Sequence, residues 1–71
     1  MFVYPRIKDF REDKEKKQWE IAKLLGTTQK QYSRWETGTT EIPAHHLITL
    51  ARYYRVSLDR LMENAHPREE T

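Results

Sequence analysis

The sequence predicts an all-α fold, a compact bundle of five short helices with a helix-turn-helix at its centre, and two observations lead to it. Apolar residues recur at i, i+3 and i+4 in segment after segment, which is the period of a helix with one buried face. Gly26 and Gly38 each fall where such a pattern stops, the place where a helix end commonly needs positive φ. Every periodic segment reads as helix, and no strand is expected.

Pro5 is a favoured first helical residue, and Ile7, Phe10 and Arg11 follow at i, i+3 and i+4, predicting a first helix from about Pro5 to Lys14. The run REDKEKK is its polar end. Gln18 to Leu25 forms a second helix with Ile21, Ala22 and Leu25 inward, and the small side chain of Ala22 lets the next helix come close. After Gly26, Thr28 caps a third helix that reaches Thr37. On that helix Tyr32 and Trp35 share a packing face, while Gln29, Lys30, Ser33 and Arg34 share the opposite one. Thr39 to Pro43 reads as a loop. Pro43 opens a fourth helix with Leu47, Leu50, Ala51 and Tyr54 in register, and Ser57 caps a short fifth carrying Leu58, Leu61 and Met62. The division expected is a domain over residues 1–63 and a polar, disordered tail over 64–71.

A chain of 71 residues makes one domain, and at this size folding buries only about 60% of the surface that the unfolded chain exposes. That leaves little room for an enclosed active site. Without cysteine there is no disulfide or thiolate metal staple, so stability must come from helix packing around Trp19, Trp35 and the aliphatic residues. A reducing cytoplasm fits that usage. The apolar start MFVY ends at Pro5, and no stretch approaches the ~18 apolar residues of a membrane span. Net charge is +2, unevenly placed: residues 1–36 carry nine Lys/Arg against six Asp/Glu, and residues 37–71 carry four against five. The basic half is the half with the glycine turn, which suits an anionic partner.

Taken in order, the segments IKDFRED, QWEIAKLLG, TTQKQYSRWETG, IP and LITLARYYRVSLDRLM resemble the lambda-repressor-like helix-turn-helix domain of the Cro/C1 (XRE) family of transcriptional regulators. The resemblance spans roughly residues 6–62. It implies binding to double-stranded DNA with the third helix in the major groove. By that resemblance Thr28, Gln29, Lys30, Ser33 and Arg34 face DNA. Gln can bond adenine twice, and Arg or Lys can bond guanine O6 and N7, so Gln29, Lys30, Arg34 and Ser33 are the expected base contacts. Lys17, Gln18, Thr28, Thr39 and Thr40 are the expected phosphate contacts, Gln18 because it opens a helix whose first N–H groups point outward. Arg11 and Glu36 correspond to a family ion pair that orients the third helix. Two departures stand out. Family members usually have a polar residue where this chain has Trp19, which leaves two roles open, an aromatic contact at the phosphate edge or a lid on the first helix. The loop from Gly38 to Glu41 lacks the Lys or Arg common there, and Glu41 lowers the expected affinity.

Other chemistries find no support in the residues. His45, His46 and His66 make no chelating set, since adjacent helical histidines project about 100° apart and no suitably spaced carboxylate joins them. No nucleophile and base, glycine-rich phosphate loop or carboxylate pair suggests catalysis, and no cofactor is expected. The expected function is a sequence-specific DNA-binding regulator, a repressor rather than an activator. One such small module falls short of the ~10⁻⁸ M affinity of specific sites, so a homodimer on a palindromic operator is expected. Its contact surface would lie around Tyr54, Val56, Leu58, Leu61 and Met62. The principal alternative is a protein-interaction module of the antitoxin type; RNA binding is a further rival, disfavoured because no aromatic sheet or single-strand clamp is in view.

Overall fold

A computed structural model of the chain describes residues 1–68. Five helices follow one another: α1 (Pro5–Asp13), α2 (Gln18–Leu25), α3 (Gln29–Thr37), α4 (Ala44–Tyr54) and α5 (Leu58–Leu61). Their apolar faces converge on one core. The five largest side chains with at most 1% exposure are Ile7, Ile21, Tyr32, Leu50 and Leu61, so every helix contributes one of them. No pair of helices could bury these residues alone, which is why such short elements are stable only as a set.

The helix ends follow from the residues that sit there. α1 begins at Pro5, whose absent N–H is one the first turn would leave unpaired. Gly26 closes α2 at φ 71° and Gly38 closes α3 at φ 79°, both in the left-handed region. The Thr28 hydroxyl oxygen accepts the Gln31 N–H at 3.1 Å, and Ser57 does the same for Arg60 at 3.1 Å. Pro43 differs from expectation. With ψ 146° it is extended and sits just before α4, which starts at Ala44. Arg55 closes α4 in the left-handed region without being glycine, at φ 58°.

The absence of strands expected from the sequence is corrected by a two-stranded antiparallel ladder between the chain's ends. β1 (Phe2–Val3) pairs with β2 (His66–Pro67), Phe2 opposite Pro67 and Val3 opposite His66. In the polar segment after Glu63, expected as a disordered tail, His66 to Arg68 lie against the amino terminus; residues 69–71 fall outside the described residues. The Arg68 N–H donates to Met1 O at 2.9 Å and its guanidinium Nη1 to Gly38 O at 2.6 Å. The Phe2 N–H donates to the Glu41 carboxylate. Together these bonds strap both ends of the chain onto the loop that follows α3.

Gly38 therefore answers two demands at once, and Gly26 only one. A Cβ at Gly26 would meet nothing within 4 Å, whereas at Gly38 it would lie 2.5 Å from Val3 Cγ2. Gly26→Ala is expected to cost about 1 kcal/mol, the left-handed penalty alone. Gly38→Ala is expected to cost clearly more, and adding Val3→Ala should recover part of the difference. Urea melts of the two single variants and the double variant measure this; equal losses at both glycines would show that β1 does not press on α3.

Candidate nucleic-acid interface

α2 and α3 meet at the Gly26 turn because Ile21, Ala22 and Leu25 face inward from one and Tyr32 and Trp35 from the other. Tyr32 and Trp35 pack edge to face with ring centroids 6.3 Å apart. With the aromatic face of α3 used in this way, its other face is left to solvent. Gln29, Lys30 and Arg34 are exposed and Ser33 half-buried, and together with Gln18 they line one open surface depression of about 500 Å³. The structure brings these five side chains together from two helices.

This surface carries no carboxylate. The charged residues of α3 are Lys30, Arg34 and Glu36, and Glu36 is turned inward. Its carboxylate is 2% exposed and accepts from Arg11 Nε at 2.6 Å, Arg11 Nη2 at 3.1 Å and Gln18 Nε2 at 3.0 Å. One residue of α3 is thus bonded to α1 and α2 together. Burial alone would push the Glu36 carboxyl up, but the hydrogen bonds from Arg11 and Gln18, the neighbouring Tyr32 hydroxyl and the guanidinium charge outweigh it and hold it below its ordinary value. The Tyr32 hydroxyl is buried outside hydrogen-bond geometry with any partner, and its burial beside that carboxylate drives its own pKa far upward. Arg11 also donates from Nη1 to Lys16 O at 2.8 Å, which fixes the turn leading into α2.

The expected phosphate contacts occupy differing positions. Lys17 is exposed and precedes α2 in extended conformation, its N–H bonded to Glu20 Oε1 at 3.0 Å. Gln18 gives one amide hydrogen to Glu36, leaving a second amide hydrogen and its carbonyl oxygen. Capping uses the Thr28 oxygen as acceptor, so its hydroxyl proton remains available. Thr39 is exposed, but its N–H is bonded to Arg34 O at 2.9 Å and its hydroxyl pairs with Thr37 at 3.0 Å. The Thr40 hydroxyl is buried without a partner, and its N–H is held by Arg34 O at only 3.4 Å. Glu41 is tied to Phe2, a contact that sequence reasoning missed because it spans 39 residues.

Three other expectations resolve in the structure. Trp19 does not join the core; it is 52% exposed. The His45 and His46 rings do not diverge but tilt together with centroids 4.1 Å apart, and His46 covers Trp35 at 5.1 Å. Burial first, and then His45, lowers the His46 pKa. Among the described residues no three His, Cys, Asp or Glu cluster as a metal site. The surface expected for self-association is mostly consumed by the core: Leu61 and Tyr54 are buried, Val56 and Met62 pack against them, and Leu58 alone is exposed.

Five helices around a glycine turn, with a polar, carboxylate-free face on the helix after that turn, define a helix-turn-helix domain. A family model described as helix-turn-helix matches residues 7–61, and the chain belongs to the Cro/C1-type helix-turn-helix family of XRE regulators. That family is one of DNA-binding regulatory domains and not of enzymes. No curated protein and no solved structure matches the chain. Among the described residues no helix is long and apolar enough to cross a membrane.

The buried ion pair sets a pH dependence of known sign. The Glu36 pKa is lowered in the folded state, so its contribution to stability is fully present above the unfolded value near 4.5 and is lost as pH falls through the lowered folded value. At neutral pH Glu36→Gln is expected to cost about 3 kcal/mol, since it leaves Arg11 enclosed without a counter-charge. In acid the gap between variant and wild type should close. Urea unfolding from about pH 7 to about pH 3 reads both effects, and a constant gap would locate the acid sensitivity elsewhere.

Proposed function

We propose that the protein is a sequence-specific double-stranded DNA-binding transcriptional regulator that represses by occupying an operator. The observation that carries this reading is the surface shared by Gln18, Gln29, Lys30, Ser33 and Arg34, which has hydrogen-bonding and cationic groups and no carboxylate. In the reading, α3 enters the major groove. Gln29 suits adenine, Arg34 and Lys30 suit guanine, and Ser33 suits either, each good bidentate pair giving about 1–3 kcal/mol of discrimination. Lys17, Gln18 and Thr28 hold phosphates at the amino ends of α2 and α3 and Thr40 acts through its backbone, whereas Thr39, expected to join them, has both its N–H and its hydroxyl proton already engaged and offers a phosphate no donor.

The operator is palindromic and bound by a homodimer, because one module of this size gives too few contacts for specific affinity of about 10⁻⁸ M or tighter. Leu58, with the half-buried Val56 and Met62 beside it, is the remaining part of the carboxyl-terminal surface available for self-association. The cytoplasm is the compartment in which such a protein works.

The test is selection from a randomised duplex pool at near-physiological salt with the wild type, Gln29→Ala and Arg34→Ala. A two-fold-related motif is expected, with each variant losing information at its own positions and about 1–3 kcal/mol on the matched site. The logarithm of affinity should also fall linearly with that of salt concentration, as phosphate contacts require. No enriched motif, and variants that behave like the wild type, would sink the reading. A pure monomer in the ultracentrifuge at high concentration, with and without the selected duplex, would remove the dimer.

A further inference from the structure

A second surface of α2 is not explained by DNA binding. Trp19, Leu24 and Tyr53 are 52%, 43% and 39% exposed, and they line one open groove of about 410 Å³ with Lys16, Glu20 and Lys23. It shares no residue with the depression around α3. Gln18 and Trp19, the neighbours that belong to the two surfaces, leave the helix about 100° apart. Exposing two aromatic rings and a leucine together is unusual for a domain this small, and clustered apolar groups rimmed by charge mark interaction sites.

The charges around the groove select its occupant. Among the described residues neither Lys16 nor Lys23 pairs with a carboxylate. Glu20, the acidic group of the rim, is already bonded to the Lys17 N–H at 3.0 Å. The groove therefore offers an apolar floor under a rim of two ammonium groups and one carboxylate, net positive, with neither lysine in an ion pair. A second copy seated on the same groove by two-fold symmetry would set four lysines against two carboxylates that are committed to helix ends. That juxtaposition is repulsive, so the charge pattern disfavours self-association here. The groove is also too open to enclose most of a small molecule, but it can take the anchors of a peptide segment that continues beyond it.

We propose that the Trp19, Leu24 and Tyr53 groove is a docking site for an acidic protein segment bearing aliphatic or aromatic anchors. The anchors lie against the two rings, which present large area at small entropic cost, and the acidic groups meet Lys16 and Lys23. The Tyr53 ring is braced from behind by Tyr54 at 5.2 Å, and Tyr54 stacks on Phe10 at 5.7 Å, so the floor rests on the core. Lys16 is held at its backbone by the Arg11 guanidinium. The site is independent of whether α3 reads bases.

The experiment is selection from a random peptide library displayed on phage, against the full chain and, in parallel, against Trp19→Ser and Leu24→Ser. Both residues are exposed, and either variant alone suffices if the other fails to fold. Enrichment of peptides that combine Asp or Glu with Leu, Phe or Trp is expected on the wild type. A synthesised winner should bind about tenfold or more weakly to each Ser variant and to Lys23→Glu. Basic or uncharged winners, or winners that bind all variants equally, overturn the proposal. So does a concentration-dependent dimer that Trp19→Ser disperses, which would give the groove to a second copy. Loss of duplex DNA affinity in Trp19→Ser comparable to the peptide loss overturns it as well, by assigning this face to the DNA.

Discussion

The contact on which the rest of this structure depends is the one between Arg11 and Glu36. At 2.6 Å and almost out of solvent, it joins α1 to the last turn of α3, and Gln18 extends it to the first residue of α2. In a core shared among five short helices, apolar packing holds the helices together without directional bonds that fix their rotation. Directional bonds to one carboxylate add that restraint. They also remove the acidic charge of α3 from the outside of the molecule. An anion approaching Lys30 and Arg34 then meets no opposing carboxylate on that helix.

A second set of constraints acts at the other end of α3. Arg34 O receives the N–H groups of Gly38 and Thr39, a longer bond from Thr40, and the Thr37 hydroxyl. The loop so formed is then covered by the chain's own ends, through Val3 against Gly38, Arg68 to Gly38 O and Phe2 to Glu41. The last contact changes the meaning of Glu41. It keeps its charge and its exposure, but its carboxylate also serves to hold the Phe2 N–H. The helix that carries the proposed reading residues is thereby held at both ends by polar contacts and along one side by Tyr32 and Trp35.

What could be read from the sequence was whatever a helix writes locally. The bounds of α2, the caps at Thr28 and Ser57 and the glycines at 26 and 38 are set by residues next to the feature they control. The surface of α3 was equally legible, since Gln29, Lys30, Ser33 and Arg34 share a face by periodicity. Gln18 joins them through tertiary packing, which the order of segments could suggest but spacing alone could not. The ladder between Phe2–Val3 and His66–Pro67 was illegible for two reasons: strands of two residues have no period, and their partners lie at opposite ends of the chain. Trp19 misled for a different reason. Size and hydrophobicity argue for burial, but its angle on α2 lies away from Ile21, Ala22 and Leu25, and the angle decides.

That same angle explains how one eight-residue helix comes to border two surfaces. Ile21, Ala22 and Leu25 occupy the side of α2 that meets the core, leaving more than half of its circumference outside. Gln18 is in line with that inward side but stands in the first turn, where it reaches Glu36, and Trp19, Glu20, Lys23 and Leu24 fall on the outer side. A domain of this size cannot set aside separate elements for separate partners. It can use the first turn and the outer side of one helix, provided that helix is fixed against rotation. The bonds from Gln18 to Glu36 and from Arg11 to Lys16 O hold the start of α2 for that purpose, so the network that aims α3 also sets which residues α2 presents on its far side.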